Sequence, residues 1–226
     1  MPVAFLELAQ QCAPQIAPET LAAIVSVESG FQPFVIRTNS DRPFAEQPET
    51  RAEAIEAATM LIAEGHDIDL GLAGINSGNL GRLGLSVSDA FDLCLNLKAS
   101  GSLLDGYYQV ALQGGATAGQ AETVMLRSYY GHGDTLVGEM VGYDGKVLAE
   151  RKRLAERLET IEIAEGNANE RAPRERGGGG EAIATSTEAV TGEKALERTR
   201  NAAPRWDVFN PGRRSSVLVF SNEQKE

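Results

Sequence analysis

Apolar residues recur at helical spacing in five stretches of the 226-residue chain. This periodicity predicts helices at about residues 3–12, 18–29, 50–64, 88–112 and 119–130. The third stretch consists of strong helix formers. Two glycines weaken the fourth stretch but leave its apolar stripe recognisable.

Strand-type patterns are few. F-V-I-R-T-N and D-L-G-L-A-G-I-N each predict a short strand or an extended loop. The first half of the chain is therefore predicted to be mainly α, with a glycine-containing segment near its middle.

The second predicted helix carries a carboxylate on its apolar face. Leu21, Ile24 and Val25 lie on one side at helical spacing. Glu28 falls on the same stripe, one turn before Gly30, which is suited to end the helix. A buried carboxyl tends to keep its proton near neutral pH, as a general acid must. The alternative, which periodicity alone favours, is that Glu28 pairs with an arginine or caps a neighbouring backbone group.

Charge is distributed unevenly along the chain. The net charge is −11, and residues 1–150 hold 7 Lys and Arg against 19 Asp and Glu. This acidic part argues against a nucleic-acid partner but is compatible with a neutral polymer such as glycan. The sequence contains no window of eighteen apolar residues, so no membrane span is predicted. The N-terminus as written does not match a signal peptide, so either the chain is not exported by that route or its true start lies upstream.

Composition divides the chain into three parts. Residues 1–160 are predicted to form one domain. Residues 161–203, which include four consecutive glycines, are too polar to bury a core and are predicted to be a disordered linker. Residues 204–226 contain W-D-V-F, beginning at Trp206. This short apolar element is interpreted either as a docking peptide or as a tail that folds back onto its own domain.

The cysteines and histidines give weak local signals. Cys12 and Cys94 belong to no C-x-x-C motif, so they are either small buried hydrophobes or, in an oxidising compartment, a disulfide. His66 starts H-D-I-D-L-G, but Ser77 stands where a calcium loop needs glutamate. No metal site is predicted.

Two acidic pairs occur at predicted turns or helix starts. Asp67 with Asp69, and Asp89 with Asp92, are expected to cap helices or to face water. No glycine-flanked serine elbow or phosphate-binding loop is present to suggest other chemistry.

Three motifs stand out in chain order. They are the pair Glu28-Ser29, the glycine-rich turn G-L-A-G-I-N (Gly71–Asn76), and R-S-Y-Y-G-H-G-D (Arg127–Asp134), which carries two tyrosines from a helix into a loop. Tyrosines at a helix end can stack on sugar rings and donate hydrogen bonds, although core packing is their commoner use.

Together these motifs resemble the lytic transglycosylases of bacterial type IV secretion and conjugation systems. The similarity runs from about residue 5 to 150 and includes V-E-S-G-F-Q-P-F, G-L-A-G-I-N and S-Y-Y-G-H-G-D. The W-D-V-F element also resembles a short element in the tails of that family. The resemblance implies a lysozyme-like fold of the goose-type lysozyme and lytic transglycosylase group, followed by a largely disordered tail.

The resemblance also assigns residues by position. Glu28 matches the catalytic glutamate, and Cys12 and Cys94 match a cysteine pair, which favours a disulfide between them. The substrate-binding positions implied are Ser29, Gly74, Ile75, Asn76, Tyr129 and Tyr130. Two of these depart from the family pattern: Gly74 replaces a motif glutamine and Tyr130 a motif asparagine.

The implied reaction is cleavage of the β-1,4 bond between N-acetylmuramic acid (MurNAc) and N-acetylglucosamine (GlcNAc) in peptidoglycan, giving 1,6-anhydromuramyl products. It needs a single glutamate and no cofactor, and it would open the periplasmic cell wall locally for assembly of the secretion apparatus. Channel proteins are expected partners of the tail. The alternative is a weakly active or inactive peptidoglycan-binding assembly protein of the same apparatus, which the departures at Gly74 and Tyr130 favour.

Overall fold

Helices dominate the fold. The computed structural model describes residues 2–40, 44 and 46–164. The α-helices are α1 (Phe5–Cys12), α2 (Pro18–Ser29), α3 (Arg51–Ala63), α4 (Leu80–Leu83), α5 (Leu93–Gln113), α6 (Ala118–Tyr130), α7 (Thr135–Met140) and α8 (Tyr143–Leu154). Short 3₁₀ turns occur at Ser77–Asn79, Asp89–Phe91 and Leu158–Thr160. The mainly α prediction is confirmed.

The strands form two small antiparallel sheets. Strands β2 (Ile36–Thr38), β3 (Ile68–Leu70) and β4 (Ile75–Asn76) pair in chain order. Strands β1 (Pro2–Ala4) and β5 (Glu162–Ala164) pair with each other. Both stretches with strand-type patterns therefore supply strands, and the second supplies two.

Local sequence explains where the main helices start and end. Thr50 and Thr117 cap the N-termini of α3 and α6 in capping boxes. In each box the threonine hydroxyl accepts from the backbone N–H three residues later, and the side chain of that later residue accepts from the threonine backbone N–H. Pro18 occupies the first position of α2, which suits its fixed φ. Gly30 ends α2 in the left-handed conformation, with φ 60°.

Two hydrophobic clusters flank the region between the helices and the three-stranded sheet. One cluster joins α1, α2, α5, α6 and α8, and α2 is buried nearly all round. The other joins the sheet to α3 and the start of α5. Glu28 lies in the last turn of α2, so it reaches the region where these two parts of the domain face each other.

The domain extends further than predicted. Residues 162–164 were assigned to the linker, but as β5 they pair with β1, and Val3 lies opposite Ile163. The predicted start of the linker at 161 is therefore too early, because the chain returns to close the fold beside its own N-terminus. The rest of the predicted linker and the tail with W-D-V-F lie outside the described residues. None of the helices in the described ranges is long and apolar enough to cross a membrane.

Candidate active site

A cavity of about 530 Å³ opens between the end of α2, the three-stranded sheet and the end of α6. Its lining includes Glu28, Arg37, Asp69, Gly74, Tyr130 and His132. Three motifs that are far apart in the chain therefore meet in one place, as their joint assignment to a site predicts.

Glu28 is buried and held at both carboxylate oxygens. Its residue surface is 5% exposed. The hydroxyl of Tyr143 donates to Oε1 at 2.5 Å, and Nη2 of Arg37 donates to Oε2. Burial raises the pKa of Glu28 to about 7, although Arg37 and the Tyr143 hydrogen bond oppose this change. Glu28 therefore pairs with an arginine, as one interpretation predicted, and its pKa is nevertheless raised.

Gly74 leaves space beside the reactive end of Glu28. Its φ is +66°, and an added Cβ would lie only 2.7 Å from Oε2 of Glu28. The cavity wall is consequently backbone at this point, where the predicted family motif has a glutamine side chain. Oε2 is therefore the carboxylate oxygen adjacent to this gap, while Oε1 is tied to Tyr143.

Tyr143 was not predicted as a site residue. It begins α8, whose many charged residues hide its periodicity, and its ring packs at 5.0 Å from that of Tyr130. Burial and the nearby Glu28 charge raise the pKa of Tyr143 well above its usual value, so it stays a hydrogen-bond donor. The available signal was the apolar spacing of Tyr143, Val147 and Leu154, which are all buried.

Asp69 corrects one expectation. It was expected to cap a helix or to face water. Asp69 instead lies on β3, only 5% exposed, and lines the same cavity. Burial opposes its ionisation, but hydrogen bonds from His132 and Asn76 outweigh burial and hold the pKa of Asp69 below its usual value. Asp67, by contrast, is exposed as expected.

His132 stands at the mouth of the cavity in the loop after α6. Its backbone is left-handed, with φ 52°, and its Nε2 lies 3.4 Å from Oδ1 of Asp69. The hydrogen bond to Asp69 raises the pKa of His132. Within residues 2–40, 44 and 46–164, no group of His, Cys, Asp and Glu is arranged to hold a metal ion.

Three predicted substrate-binding residues serve as scaffold instead. The Ser29 hydroxyl donates to the Leu72 carbonyl at 2.6 Å, and Ile75 is fully buried in the core. Asn76 donates to Asp67 at 2.6 Å and to Asp69 at 2.9 Å. None of the three lines the cavity, and the polar side-chain atoms of Ser29 and Asn76 are engaged by protein groups.

The buried amide of Asn96 on α5 was also missed. It accepts from the Ala73 amide at 2.8 Å and donates to the carbonyls of Leu70 and Ala90 at 3.0 and 2.7 Å. An added Cβ on Gly71 would lie 2.6 Å from this amide nitrogen, so glycine is required at that point of the turn. An asparagine within an apolar helix stripe was the only signal available.

The two predicted tyrosines line the cavity in different ways. Tyr129 is buried, and its hydroxyl hydrogen-bonds the Ala73 carbonyl at 2.7 Å and the Ser100 hydroxyl at 2.9 Å. Burial raises its pKa, so it too remains a donor. Tyr130 is partly exposed and presents its ring to the cavity. Tyr130 is therefore the tyrosine whose ring can still contact a ligand.

Cys12 and Cys94 are joined as a disulfide, with their Cα atoms 5.2 Å apart. The bond links the end of α1 to the start of α5. It ties α5 to α1, and α1 in turn packs against α2, the helix that carries Glu28.

Comparisons with known proteins agree with this arrangement. Residues 5–146 match the family described as Transglycosylase SLT domain. The chain is 46% identical over 110 residues to the "Type IV secretion system protein virB1" of Brucella abortus biovar 1, covering 49% of this chain and 46% of that protein. It is 35% identical over 151 residues to "Protein virB1" of Agrobacterium fabrum, covering 65% of this chain and 60% of that protein. The chain thus spans about half the length of its Brucella relative, and no solved structure matches it.

Proposed function

Because the chain belongs to the Transglycosylase SLT domain family, we propose that it is a lytic transglycosylase of peptidoglycan. The bond cleaved is the β-1,4 linkage between MurNAc and GlcNAc. The observation that carries the proposal is a carboxyl group with a pKa of about 7 at the wall of a cavity. Near neutral pH such a group can both give and take a proton.

Glu28 supplies both proton transfers. Its carboxyl protonates the glycosidic oxygen, the C1–O bond breaks, and the bond electrons remain on the departing GlcNAc hydroxyl. The muramyl N-acetyl group assists at C1. The Glu28 carboxylate then removes the proton of the C6 hydroxyl, whose oxygen bonds to C1 and closes the 1,6-anhydro ring. The glutamate ends the cycle protonated, as it began.

Tyr143 orients Glu28 for this work. Its hydrogen bond to Oε1 fixes the carboxyl plane and leaves Oε2 next to the gap at Gly74, where a glycosidic oxygen can approach. Tyr130 offers a ring at the cavity wall on which a sugar can stack. The alternative function, a weakly active or inactive peptidoglycan-binding assembly protein, is disfavoured because the acid, its burial and its orienting hydroxyl are all present.

The test compares Glu28→Gln with the wild-type chain on purified peptidoglycan. Loss of the proton donor should lower lysis by on the order of a hundredfold or more. Mass spectrometry of the wild-type products should show anhydromuramyl ends, lighter by one water than hydrolysed ends. Glu64→Gln, at an exposed glutamate, is the matched control. Full lysis by Glu28→Gln, or hydrolysed ends from the wild type, would contradict the proposal.

We further propose that the enzyme opens the cell wall for a type IV secretion apparatus and acts in the periplasm. The name of the Brucella relative, a type IV secretion system protein, supports the assignment to a secretion system. Channel proteins are proposed to bind the tail through W-D-V-F. A chain ending at residue 170, which keeps β5, should retain lysis. Trp206→Ala in the full chain should weaken secretion alone. Loss of lysis on truncation would mean that the tail is needed for the folding or activity of the domain.

A further inference from the structure

Arg37 lies between the two buried carboxylates of the cavity. Its Nη2 hydrogen-bonds Oε2 of Glu28 and lies 3.6 Å from Oδ2 of Asp69. The Arg37 side chain is 35% exposed, whereas those of Glu28 and Asp69 are 2% and 6% exposed. The guanidinium is thus the most exposed member of the group, and the two carboxylates are buried.

The sheet holds Arg37 beside Asp69 whatever the state of Glu28. The two residues are directly opposite each other in the antiparallel pairing of β2 with β3. Glu28 comes from a different element, α2, and meets Arg37 only through its carboxylate. Asp69 is therefore the permanent neighbour of Arg37, and Glu28 is a partner whose attraction depends on its charge.

The two oxygens of Asp69 have different surroundings. Oδ1 receives Asn76 at 2.9 Å and Asn39 at 3.3 Å, with His132 at 3.4 Å. Oδ2 is the oxygen that faces Arg37. The carboxylate is thus anchored through one oxygen and directs the other at the guanidinium.

We propose that Asp69 is a positioning residue of the reaction: it holds Arg37 while Glu28 carries its proton, and it yields Arg37 when Glu28 is ionised. The proposal rests on the proposed role of Glu28 as the proton donor. A neutral carboxyl attracts a guanidinium weakly, so Arg37 stays with Asp69 and leaves Oε2 open to the glycan. Once Glu28 has given up its proton, its charge draws Arg37 back across the short gap.

This exchange makes the same residue a good acid and a stable anion. The pKa of Glu28 is about 7 with Arg37 in contact, and it rises further when Arg37 withdraws, because an adjacent cation favours the charged form. If no cation were present, the negative charge of ionised Glu28 would be buried without a compensating positive charge. When Glu28 recovers a proton from the C6 hydroxyl, Arg37 returns to Asp69 and the cycle can repeat.

Four groups from four elements surround Glu28 and must enter the test. They are Arg37 on β2, Asp69 on β3, Tyr143 on α8 and His132 after α6. In Asp69→Asn, Arg37 remains with Glu28 and the Glu28 titration midpoint should fall by about one pH unit. The same variant removes the partner of His132, and loss of the histidine charge would move the midpoint upward. A downward shift excludes His132 as its cause, but loss of the Asp69 charge also lowers the midpoint directly, so the double variant with Arg37→Gln is needed to separate Arg37 from Asp69.

The experiment measures two quantities in the full chain. One is the high-pH limb of the lysis profile, which reports proton loss from the acid. The other is the carbon-13 NMR titration of the Glu28 carboxyl, assigned by its absence from Glu28→Gln. In Asp69→Asn both midpoints should fall together, so that lysis drops about fivefold at pH 7, approaches a tenfold drop at higher pH, and recovers at lower pH. A purely structural role would lower lysis equally at every pH.

Asp67→Asn is the matched control for the midpoint. Asp67 also accepts from the Asn76 amide, but Asp69 is the carboxylate that faces Arg37. Equal midpoint shifts in the two variants would overturn the proposal. Arg37→Gln should raise the midpoint by itself and abolish most of the Asp69→Asn shift in the double variant. A shift that persists in full would mean that Asp69 acts directly on Glu28, which also overturns it.

These outcomes are separable from failure of the proposed function. If Glu28→Gln remains lytic, Glu28 is not the acid, whatever its NMR midpoint does. If Glu28→Gln is inactive but Asp69→Asn leaves the Glu28 midpoint unchanged, Glu28 remains the proposed acid and the proposed exchange of Arg37 is wrong. Should Asp69→Asn fail to fold, the proposal stays falsifiable, because an unchanged midpoint in Arg37→Gln contradicts it.

Discussion

Glu28→Gln should stabilise the folded protein at alkaline pH. The pKa of Glu28 rises from 4.5 to about 7 in the fold, chiefly because the carboxyl is buried. Each pKa unit corresponds to about 1.4 kcal/mol, so ionising Glu28 in the folded state costs about 3 kcal/mol. A raised pKa in the fold means that this contribution to stability is complete below pH 4.5 and is lost as the pH rises through 7. Glutamine resembles the neutral carboxyl at every pH and avoids the loss.

Urea unfolding under non-reducing conditions measures this difference directly. At pH 4 the two proteins should have nearly equal free energies of unfolding. At pH 8 the variant should be more stable by up to about 3 kcal/mol. The control Glu64→Gln, whose wild-type side chain is 55% exposed, should show little pH-dependent difference. A Glu28→Gln variant that is less stable at pH 8, or whose advantage does not grow with pH, would refute the claim that Glu28 is held near neutrality by burial.

Three further predictions follow from the contacts around the site. Tyr143→Phe removes the 2.5 Å hydrogen bond that favours the Glu28 carboxylate, so the high-pH limb of the lysis profile should move to higher pH. An unchanged profile would show that this hydrogen bond does not influence the pKa of Glu28. Gly74→Ala places a Cβ 2.7 Å from Oε2 of Glu28, on a backbone with φ +66°, and should lower lysis at least tenfold. The control Gly81→Ala has open space around its Cβ and should leave lysis unchanged. Replacing Cys12 and Cys94 by alanine should lower the free energy of unfolding by about 4 kcal/mol in the chain-entropy model, and a loss below about 1 kcal/mol would contradict it.

Periodicity alone predicted the elements that carry most of the site. The predicted helix at 18–29 is α2, with the same bounds, and it buries Glu28 as its stripe requires. The prediction at 3–12 was less accurate, because Pro2–Ala4 is a strand. Apolar spacing is a local property, and burial of a helix face follows from it directly. The raised pKa of Glu28 follows in turn from that burial.

The partners of Glu28 were decided by the tertiary structure. Tyr143 lies 115 residues away in sequence, on a charged helix that the apolar pattern did not reveal. Asp69 was predicted to cap a helix or to face water, yet the register of β3 turns it inward opposite Arg37. A one-residue change of register would have placed Asp69 on the other face of the strand, and nothing in the local pattern distinguishes the two.

The boundary of the domain, too, was determined partly by the sequence and partly by tertiary contacts. Composition located the change from a folded to a polar sequence near residue 160, but pairing of β5 with β1 carries the domain to Ala164. The positions of Cys12 and Cys94 are given by the sequence, whereas their bond requires α1 and α5 to pack together. Local chemistry therefore determined which residues are able to act. Contacts between distant segments determined which groups surround them, because those contacts depend on packing that no single segment encodes.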